Sequence, residues 1–400
     1  MKKQSLLYLL IVFCFFFSSC AQPDYLLDER FHTEDPLPQF DMQNQFRGYR
    51  PVCESQEAIY SQPMDSAFLW YYDKQSKTCG ILCGKPDCTH TDRSCNAYAE
   101  GLRGLSWYDN HVYWVETNPS DGQAYVYRIN GDGTQREQVQ PFQGDRSGAG
   151  PTVRLHRGYI YSGIVLSEVK EGKNTSVVRI TQEKLGESGA PEPYVIFESR
   201  YEFGATFYYQ FQGNKMYLLI IYLEAPGAAH SFELYCFDAA KRSYASLLSE
   251  KNYAQWIEDF WVERDGIYIA ANHQGLCIVK KYDFASGALN PVLSTEHPME
   301  DGTISLGEGV VVLGHGSGPG NLPLCVVMDY EGHVLLEKSL ELKPGEQTFG
   351  FTCLGATRER VLYWWQTIDS SGKNSSKIIA IPVDPAGEIQ VLCEGGDLYK

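Results

Sequence analysis

From about residue 46 onward, the chain alternates short apolar runs with clusters of glycine, aspartate and asparagine. The clearest unit lies between Leu105 and Val139, where the strand-like segments 111–116 and 124–130 are separated by turn sequences. Short runs rich in valine, isoleucine and tyrosine, bounded by turn residues at intervals of about ten residues, are typical of antiparallel strands. Helical periodicity is nearly absent, so the pattern predicts an all-β fold.

This four-strand unit recurs along the chain with a period of about fifty residues. Its best marker is the third strand, which ends in an acidic or amide residue in most copies, namely Asp73, Asn130, Asp238, Asp283, Asp329 and Asp384. A side-chain oxygen at that position can accept hydrogen bonds from the turn backbone and so end the strand. A further copy at residues 176–187 keeps the strand and lacks the aspartate. Such a period is typical of propellers and repeat arrays.

Seven copies of this unit predict a seven-bladed β-propeller of four-stranded blades over residues 46–400. One four-stranded blade cannot bury both of its faces, whereas blades stacked in a ring can. The repeat also explains how 400 residues fold when single cores stop growing near about 250–300 residues. The alternative is an eight-bladed ring, if residues 21–50 contain another blade.

Residues 1–20 have the features of a bacterial lipoprotein signal peptide. Lys2 and Lys3 precede an apolar run of about a dozen residues, which suits export and is short for a membrane span. Residues 17–20, FSSC, resemble the lipobox of bacterial lipoproteins, although leucine is more usual than Phe17. The resemblance implies cleavage before Cys20 and a lipid on its sulfur. An ordinary secretory signal with an incidental cysteine is the alternative.

We therefore expect an exported protein anchored to the outer face of the bacterial cell membrane by a lipid on Cys20. Residues 21–45 are polar, acidic and interrupted by proline. This composition predicts a tether between the membrane and the propeller. Alternatively, Leu26, Leu27 and Phe40 lie along the body as an extra edge strand. No later apolar run is long enough to predict a transmembrane helix.

An unusual cluster of cysteine and histidine occurs within seventeen residues and comprises Cys79, Cys83, Cys88, His90 and Cys95. We expect the segment that carries it to cross one face of the disc toward the central channel. An exported protein can keep disulfides, and Cys95 bonded to Cys83 or Cys88 would close a short loop. A second bridge would join Cys53 to Cys79. Alternatively, Cys83, Cys88, His90 and Cys95 form a tetrahedral zinc set. A third possibility is that the cluster forms neither.

The net charge of −16 argues against nucleic acid as a partner, because phosphate binding needs a basic surface. The sequence has no nucleophile elbow, no HExxH motif and no Walker loop. Tryptophans lie in or beside the predicted inner strands, at positions 107, 114, 256, 261, 364 and 365. They either pack between blades or line a channel mouth, where they would stack on sugar rings or peptide side chains.

Two segments resemble bacterial lipoproteins of the Clostridia type. These are residues 125–139, YVYRINGDGTQREQV, and residues 82–98, LCGKPDCTHTDRSCNAY. Those lipoproteins carry a propeller of the prolow-density lipoprotein receptor-like group, a domain of unknown function. The resemblance implies the location and the fold, and it assigns no chemistry.

We therefore expect a cell-surface module that binds a glycan, a peptide or a protein and needs no cofactor, unless zinc occupies the cysteine cluster. The alternative is a hydrolase or lyase of extracellular polysaccharides or peptides. It would use a pair of acid/base carboxylates at the channel mouth, separated by about 5–9.5 Å.

Overall fold

The computed structural model describes residues 33, 35, 37, 41, 52–63, 66–144, 152–170, 173–186, 192–239, 241, 243–253, 255–295, 302–315 and 322–395. Statements about structure below concern these residues. The predicted signal peptide with Cys20 lies outside them, as do Leu26, Leu27 and Phe40. Within the described part of the chain, no helix is long and apolar enough to cross a membrane.

The described residues form seven antiparallel sheets of four strands, each built from consecutive segments of the chain. The first four sheets comprise β1 (Val52–Glu54), β2 (Ala58–Ser61), β3 (Trp70–Asp73), β4 (Thr78–Ile81), β5 (Arg103–Tyr108), β6 (His111–Thr117), β7 (Ala124–Asn130), β8 (Glu137–Pro141), β9 (Thr152–His156), β10 (Tyr159–Lys170), β11 (Lys173–Lys184), β12 (Tyr194–Tyr201), β13 (Ala205–Gln212), β14 (Lys215–Leu223), β15 (His230–Asp238) and β16 (Ser243–Tyr253). The last three comprise β17 (Trp256–Glu263), β18 (Gly266–His273), β19 (Leu276–Asp283), β20 (Leu289–Thr295), β21 (Thr303–Gly307), β22 (Val310–His315), β23 (Leu324–Met328), β24 (Val334–Ser339), β25 (Gln347–Ala356), β26 (Arg360–Ile368), β27 (Asn374–Pro382) and β28 (Gln390–Gly395).

The seven sheets are the blades of a closed ring. The first strands of neighbouring blades contact one another in most pairs, and β28 of the last blade contacts β3 and β4 of the first. Each of the seven interfaces between adjacent blades has its own cluster of buried apolar side chains. The prediction of a seven-bladed, all-β propeller is confirmed, and the eight-bladed alternative is wrong because the repeat supplies seven sheets.

Asp73, Asp238 and Asp283 end their third strands as predicted, whereas Asp329 and Asp384 lie just beyond the ends of β23 and β27. The Asp73 carboxylate accepts hydrogen bonds from the backbone N–H groups of Gln75 and Ser76 at 3.0 and 2.6 Å. The Asp283 carboxylate accepts one from Ser286 at 2.8 Å. These bonds satisfy turn donors that the sheet cannot reach, so the strand stops there.

Part of the predicted tether packs against the third blade. Arg157 lies in the turn between β9 and β10 and is fully buried. Its Nε and Nη2 atoms donate to the two carboxylate oxygens of Asp41 at 2.9 and 2.6 Å. Its guanidinium also donates to the backbone carbonyls of Thr33 and Asp35. A bidentate pair of arginine and carboxylate is among the stronger side-chain interactions. It fixes the segment that contains Asp41 to the third blade.

The same contact includes one apolar side chain and one histidine. Leu37 packs against the buried cluster between the third and fourth blades. The Nδ1 atom of His156 lies 3.6 Å from the Asp41 carboxylate, and its Nε2 donates to the Gly213 carbonyl at 2.7 Å. Burial lowers the pKa of His156 to about 4, so the ring is neutral at physiological pH. The positive partner of Asp41 is therefore Arg157.

Candidate metal centre and adjoining cavity

The cluster predicted from the sequence lies in the segment that connects the first blade to the second. We call residues 83–95 the cysteine loop. Both of its ends are fixed to the chain just before β3. The Leu82 N–H donates to the Leu69 carbonyl at 2.9 Å, and the Leu69 N–H donates to the Ala97 carbonyl at 2.8 Å. These bonds hold the two ends of the cysteine loop beside each other.

The cysteine loop also packs against the turn between β7 and β8 of the second blade. The Gly84 N–H donates to the Gly133 carbonyl at 2.8 Å, and the Asn96 side-chain amide donates to the same carbonyl at 3.0 Å. Gly133 has a φ of +79°, and a Cβ atom there would lie 2.7 Å from the backbone nitrogens of Cys83 and Gly84. The approach of the two backbones therefore requires glycine.

Four of the five residues in the predicted cluster converge. The ligand atoms of Cys83, Cys88, His90 and Cys95 all lie within 4.8 Å of one another. The Nδ1 atom of His90 is 3.3 Å from the Cys95 sulfur. The fifth residue, Cys79, is exposed on β4 and is not part of this group. The set belongs to the connection from β4, an edge strand of the first blade, to β5, the first strand of the second blade, and this connection contacts the turn that follows β7.

The environment of Cys83 favours its thiolate. Burial raises the pKa of this thiol, but the backbone N–H groups of Lys85 and Asn96 and the neighbouring Cys95 and Cys88 thiols outweigh it. The net pKa of Cys83 lies below its ordinary value. Burial, followed by the adjacent cysteines, raises the pKa of Cys95.

The predicted disulfides are not formed: the described cysteines that would make them, Cys53, Cys79, Cys83, Cys88 and Cys95, are thiols. The bridge between Cys53 and Cys79 is excluded by the order of the strands. Cys53 lies on β1 and Cys79 on β4, the two edges of the first blade. Strands lie about 4.8 Å apart, so two intervening strands place these residues beyond the reach of a disulfide.

An open cavity of about 840 Å³ adjoins the cysteine loop between the first and second blades, and Cys83 forms part of its wall. Its aromatic surface comes from Tyr60, Tyr71 and Trp107. The rings of Tyr60 and Trp107 stack with centroids 5.3 Å apart and 6° between their planes. The sequence drew attention to Trp107, but the pairing with Tyr60 depends on how the blades meet. The other predicted tryptophans are buried, except Trp256.

The rim of this cavity is acidic. Its lining includes the carboxylates of Glu57, Asp73 and Asp132, together with His111, and no lysine or arginine is among the described residues of this lining. Hydrogen bonds from the Ser76 backbone and hydroxyl lower the pKa of Asp73. Hydrogen bonds from the Thr134 side chain and backbone lower the pKa of Asp132. These two carboxylates are therefore ionised at neutral pH and give the cavity a negative potential.

No family model matches the chain, and no curated protein sequence matches it. Among solved structures, the chain is similar to the β-propeller domain of the Trilobed protease from Pyrococcus furiosus. The TM-score is 0.45 and the identity 11%, covering 86% of this chain and 100% of that chain. For Sqt1 of Saccharomyces cerevisiae the TM-score is 0.43 and the identity 9%, covering 91% and 98% of the two chains. For the acylaminoacyl peptidase of Pyrococcus horikoshii they are 0.44 and 10%, covering 81% of this chain and 50% of that chain. Likeness at this level carries no functional argument, and the fold assignment rests on the strand order.

Proposed function

We propose that this chain is an exported, lipid-anchored propeller that binds a cationic peptide segment of a partner protein in the cavity between its first and second blades. The observation that carries the proposal is the composition of that cavity. Stacked Tyr60 and Trp107 offer an aromatic surface, and three carboxylates surround it, with no lysine or arginine among the described residues that line the cavity. Lysine and arginine side chains are attracted both to aromatic faces and to carboxylates.

The cavity suits binding better than acid/base catalysis. A general acid needs a pKa near the working pH, whereas turn hydrogen bonds lower the pKa values of Asp73 and Asp132. Their oxygens are held by the turns that end β3 and β7. The third carboxylate, Glu57, is exposed in the turn between β1 and β2. This arrangement supports fixed charges for recognition.

A second depression, of about 750 Å³, lies at the turns that follow the first strands of the fifth, sixth and seventh blades. Its lining includes several carboxylates, which makes it the candidate site for the alternative hydrolase or lyase. Glu54 there forms ion pairs with Lys74 and Arg360. Glu263 accepts hydrogen bonds from the Trp261 indole and the Gly309 N–H, both at 3.0 Å. These contacts favour a structural role for both glutamates, so we prefer the binding function.

The binding proposal is tested with Glu57→Gln, which removes one exposed charge from the rim. Calorimetry at low salt would compare tetralysine, tetraglutamate and a neutral tetrasaccharide as probes. We expect tetralysine alone to bind, and Glu57→Gln to weaken it by about threefold, as for an exposed ion pair. The matched control is Glu341→Gln, an exposed glutamate outside the cavity lining.

Two results would count against this proposal. Equal tetralysine affinity in wild type and Glu57→Gln would place the binding elsewhere. Binding of the tetrasaccharide in preference to tetralysine would assign the cavity to a glycan.

The anchoring part of the proposal concerns Cys20, which follows the apolar leader. Expression of wild type and Cys20→Ser in a bacterial host, followed by membrane fractionation, tests it directly. We expect the wild type in the membrane fraction and the variant in the soluble exported fraction, because the acyl chains supply the membrane affinity. A variant that stays in the membrane fraction would contradict the lipid anchor.

A further inference from the structure

We infer that Cys83, Cys88, His90 and Cys95 bind a structural zinc ion that fixes the cysteine loop between the first and second blades. The inference does not depend on the ligand of the adjoining cavity, because it rests on the loop itself.

The first argument is the geometry of the donor atoms. A tetrahedral zinc ion with three thiolates and one imidazole places its sulfurs about 3.8 Å apart and its nitrogen about 3.6 Å from each sulfur. In the structure the four donor atoms lie within 4.8 Å of one another, with His90 Nδ1 at 3.3 Å from the Cys95 sulfur. Contraction by about 1 Å at most completes the site. Soft thiolates with an imidazole select zinc over magnesium or calcium.

The second argument is the burial of the side chains in the cysteine loop. Residues 84–87, 89 and 91–94 are all exposed. The residues between positions 83 and 95 that are even partly buried are the four proposed ligands themselves, with Cys95 the most buried. The loop thus has no apolar core of its own, and ordering so many residues costs conformational entropy. A metal ion bound by these four side chains supplies the missing interaction.

The third argument concerns the number of converging groups. A disulfide would use two of the three cysteines and would leave one thiol and His90 without a role. The structure brings all four together and leaves the nearby Cys79 exposed and outside the group. Four protein ligands also fill a tetrahedral site, which is typical of structural rather than catalytic zinc.

A zinc ion at this place would hold two parts of the ring together. The cysteine loop contacts the second blade through Gly133, and Cys83 forms part of the cavity wall. The ion would therefore fix the position of the first blade against the second and the shape of the cavity between them.

The test uses the full chain purified under reducing conditions from zinc-supplemented cells. We expect one zinc ion per chain by elemental analysis. Replacement by cobalt should give the visible spectrum of a tetrahedral site with thiolate charge-transfer bands. The double variant Cys83→Ser/Cys88→Ser should retain less than about a tenth of the zinc, whereas the control Cys79→Ser should retain all of it.

Cobalt spectroscopy of the wild type keeps the inference testable even if the double variant does not fold. A wild-type chain without zinc in which Cys83, Cys88 and Cys95 all react with an alkylating agent would overturn the inference. A mass that reveals a disulfide among Cys83, Cys88 and Cys95 in the chain purified without reductant, together with no zinc in the reduced chain, would also overturn it. A wild-type chain that holds one zinc ion but does not bind tetralysine would count against the proposed function alone, and the zinc inference would stand.

Discussion

The first and third blades differ in how much of their structure is held by strand pairing. The strands of the first blade have three or four residues each. In the third blade, β10 and β11 have twelve residues each and pair along their whole length. Yet both blades fill one place in the same ring and bury an apolar cluster against each neighbour.

This difference indicates that a blade with little strand pairing is stabilised by other means. The first blade is followed by the cysteine loop, whose inward side chains are the four proposed zinc ligands. It also lies at the closure of the ring, where it packs against the last blade. The third blade instead has long paired strands. Its Arg157 also binds the segment that contains Asp41. We expect damage to the two blades to have different consequences.

The largest effect that we predict for the third blade comes from Asp41→Ala. The substitution removes the two hydrogen bonds of the Asp41 carboxylate to the fully buried Arg157 guanidinium, and breaking a buried pair should lower the free energy of unfolding by about 3–5 kcal/mol. Urea denaturation measures this loss. The control is Asp35→Ala, because Arg157 binds the backbone carbonyl of Asp35 and the side chain is exposed. Equal stabilities of the two variants would contradict the contact.

The next effect depends on pH and involves Glu183 on β11. This side chain is buried, and its carboxylate accepts a hydrogen bond from the Gln143 N–H at 3.1 Å. Burial raises the pKa of Glu183 from 4.5 to about 7. The folded state therefore holds this proton more tightly than the unfolded chain. The stability from this group is complete below pH 4.5 and is lost as the pH rises through 7.

We expect this group to remove about 3 kcal/mol of wild-type stability between about pH 4.5 and pH 8. Glu183→Gln cannot ionise, so its stability should exceed that of the wild type at the higher pH and match it at the lower. Urea unfolding curves of both proteins at the two pH values give the difference. Glu198→Gln, on β12, is the control, because hydrogen bonds from Arg179 lower its pKa. A constant difference between Glu183→Gln and wild type would contradict the assignment.

A smaller effect is expected where the cysteine loop meets the second blade. Gly133→Ala places a Cβ atom 2.7 Å from the Cys83 backbone nitrogen in a backbone of positive φ. We expect it to cost about 2–3 kcal/mol and to weaken zinc retention, because strain of this kind costs about 1–3 kcal/mol. Gly372→Ala is a matched control, since its φ of +82° is similar and no atom lies within 4 Å. Thermal unfolding and zinc content should separate the two variants.

The smallest predicted effect is at the closure of the ring. The Tyr72 hydroxyl on β3 donates to the Gln390 side chain on β28 at 3.0 Å. Tyr72→Phe should lower the free energy of unfolding by about 1 kcal/mol, the net value of one hydrogen bond. Tyr244→Phe, at an exposed tyrosine, should change it little. If the two variants were equally stable, the bond would not contribute to closure.

The sequence predicted the blades well because their signal is local. Asp73 and Asp283 each bond to residues within a few positions, so a repeating turn residue is enough to locate the third strand. The four ligands were also accessible, because Cys83 to Cys95 is a short segment. Whether Cys79 joins them depends on the direction of its side chain on β4, which spacing does not determine.

The remaining features depend on contacts between distant parts of the chain. Arg157 and Asp41 are separated by 116 positions, and no pattern around either residue indicates the other. The composition of the segment that contains Asp41 predicted a tether, because it is polar and rich in proline. The stacking of Tyr60 on Trp107 likewise depends on how two blades meet. Contacts of this kind depend on how the blades are placed in the closed ring. The sequence predicts the number of blades and not the residue pairs that meet between them.

The central claim is that zinc in the cysteine loop stabilises the first blade, whereas long strand pairing stabilises the third blade. Hydrogen exchange of the full chain, with zinc and after removal of zinc by a chelator, tests it most directly. The account predicts faster exchange in β1 to β4 and in residues 82–99 without zinc, and unchanged exchange in β10 and β11. Equal exchange in the first blade with and without zinc would contradict it.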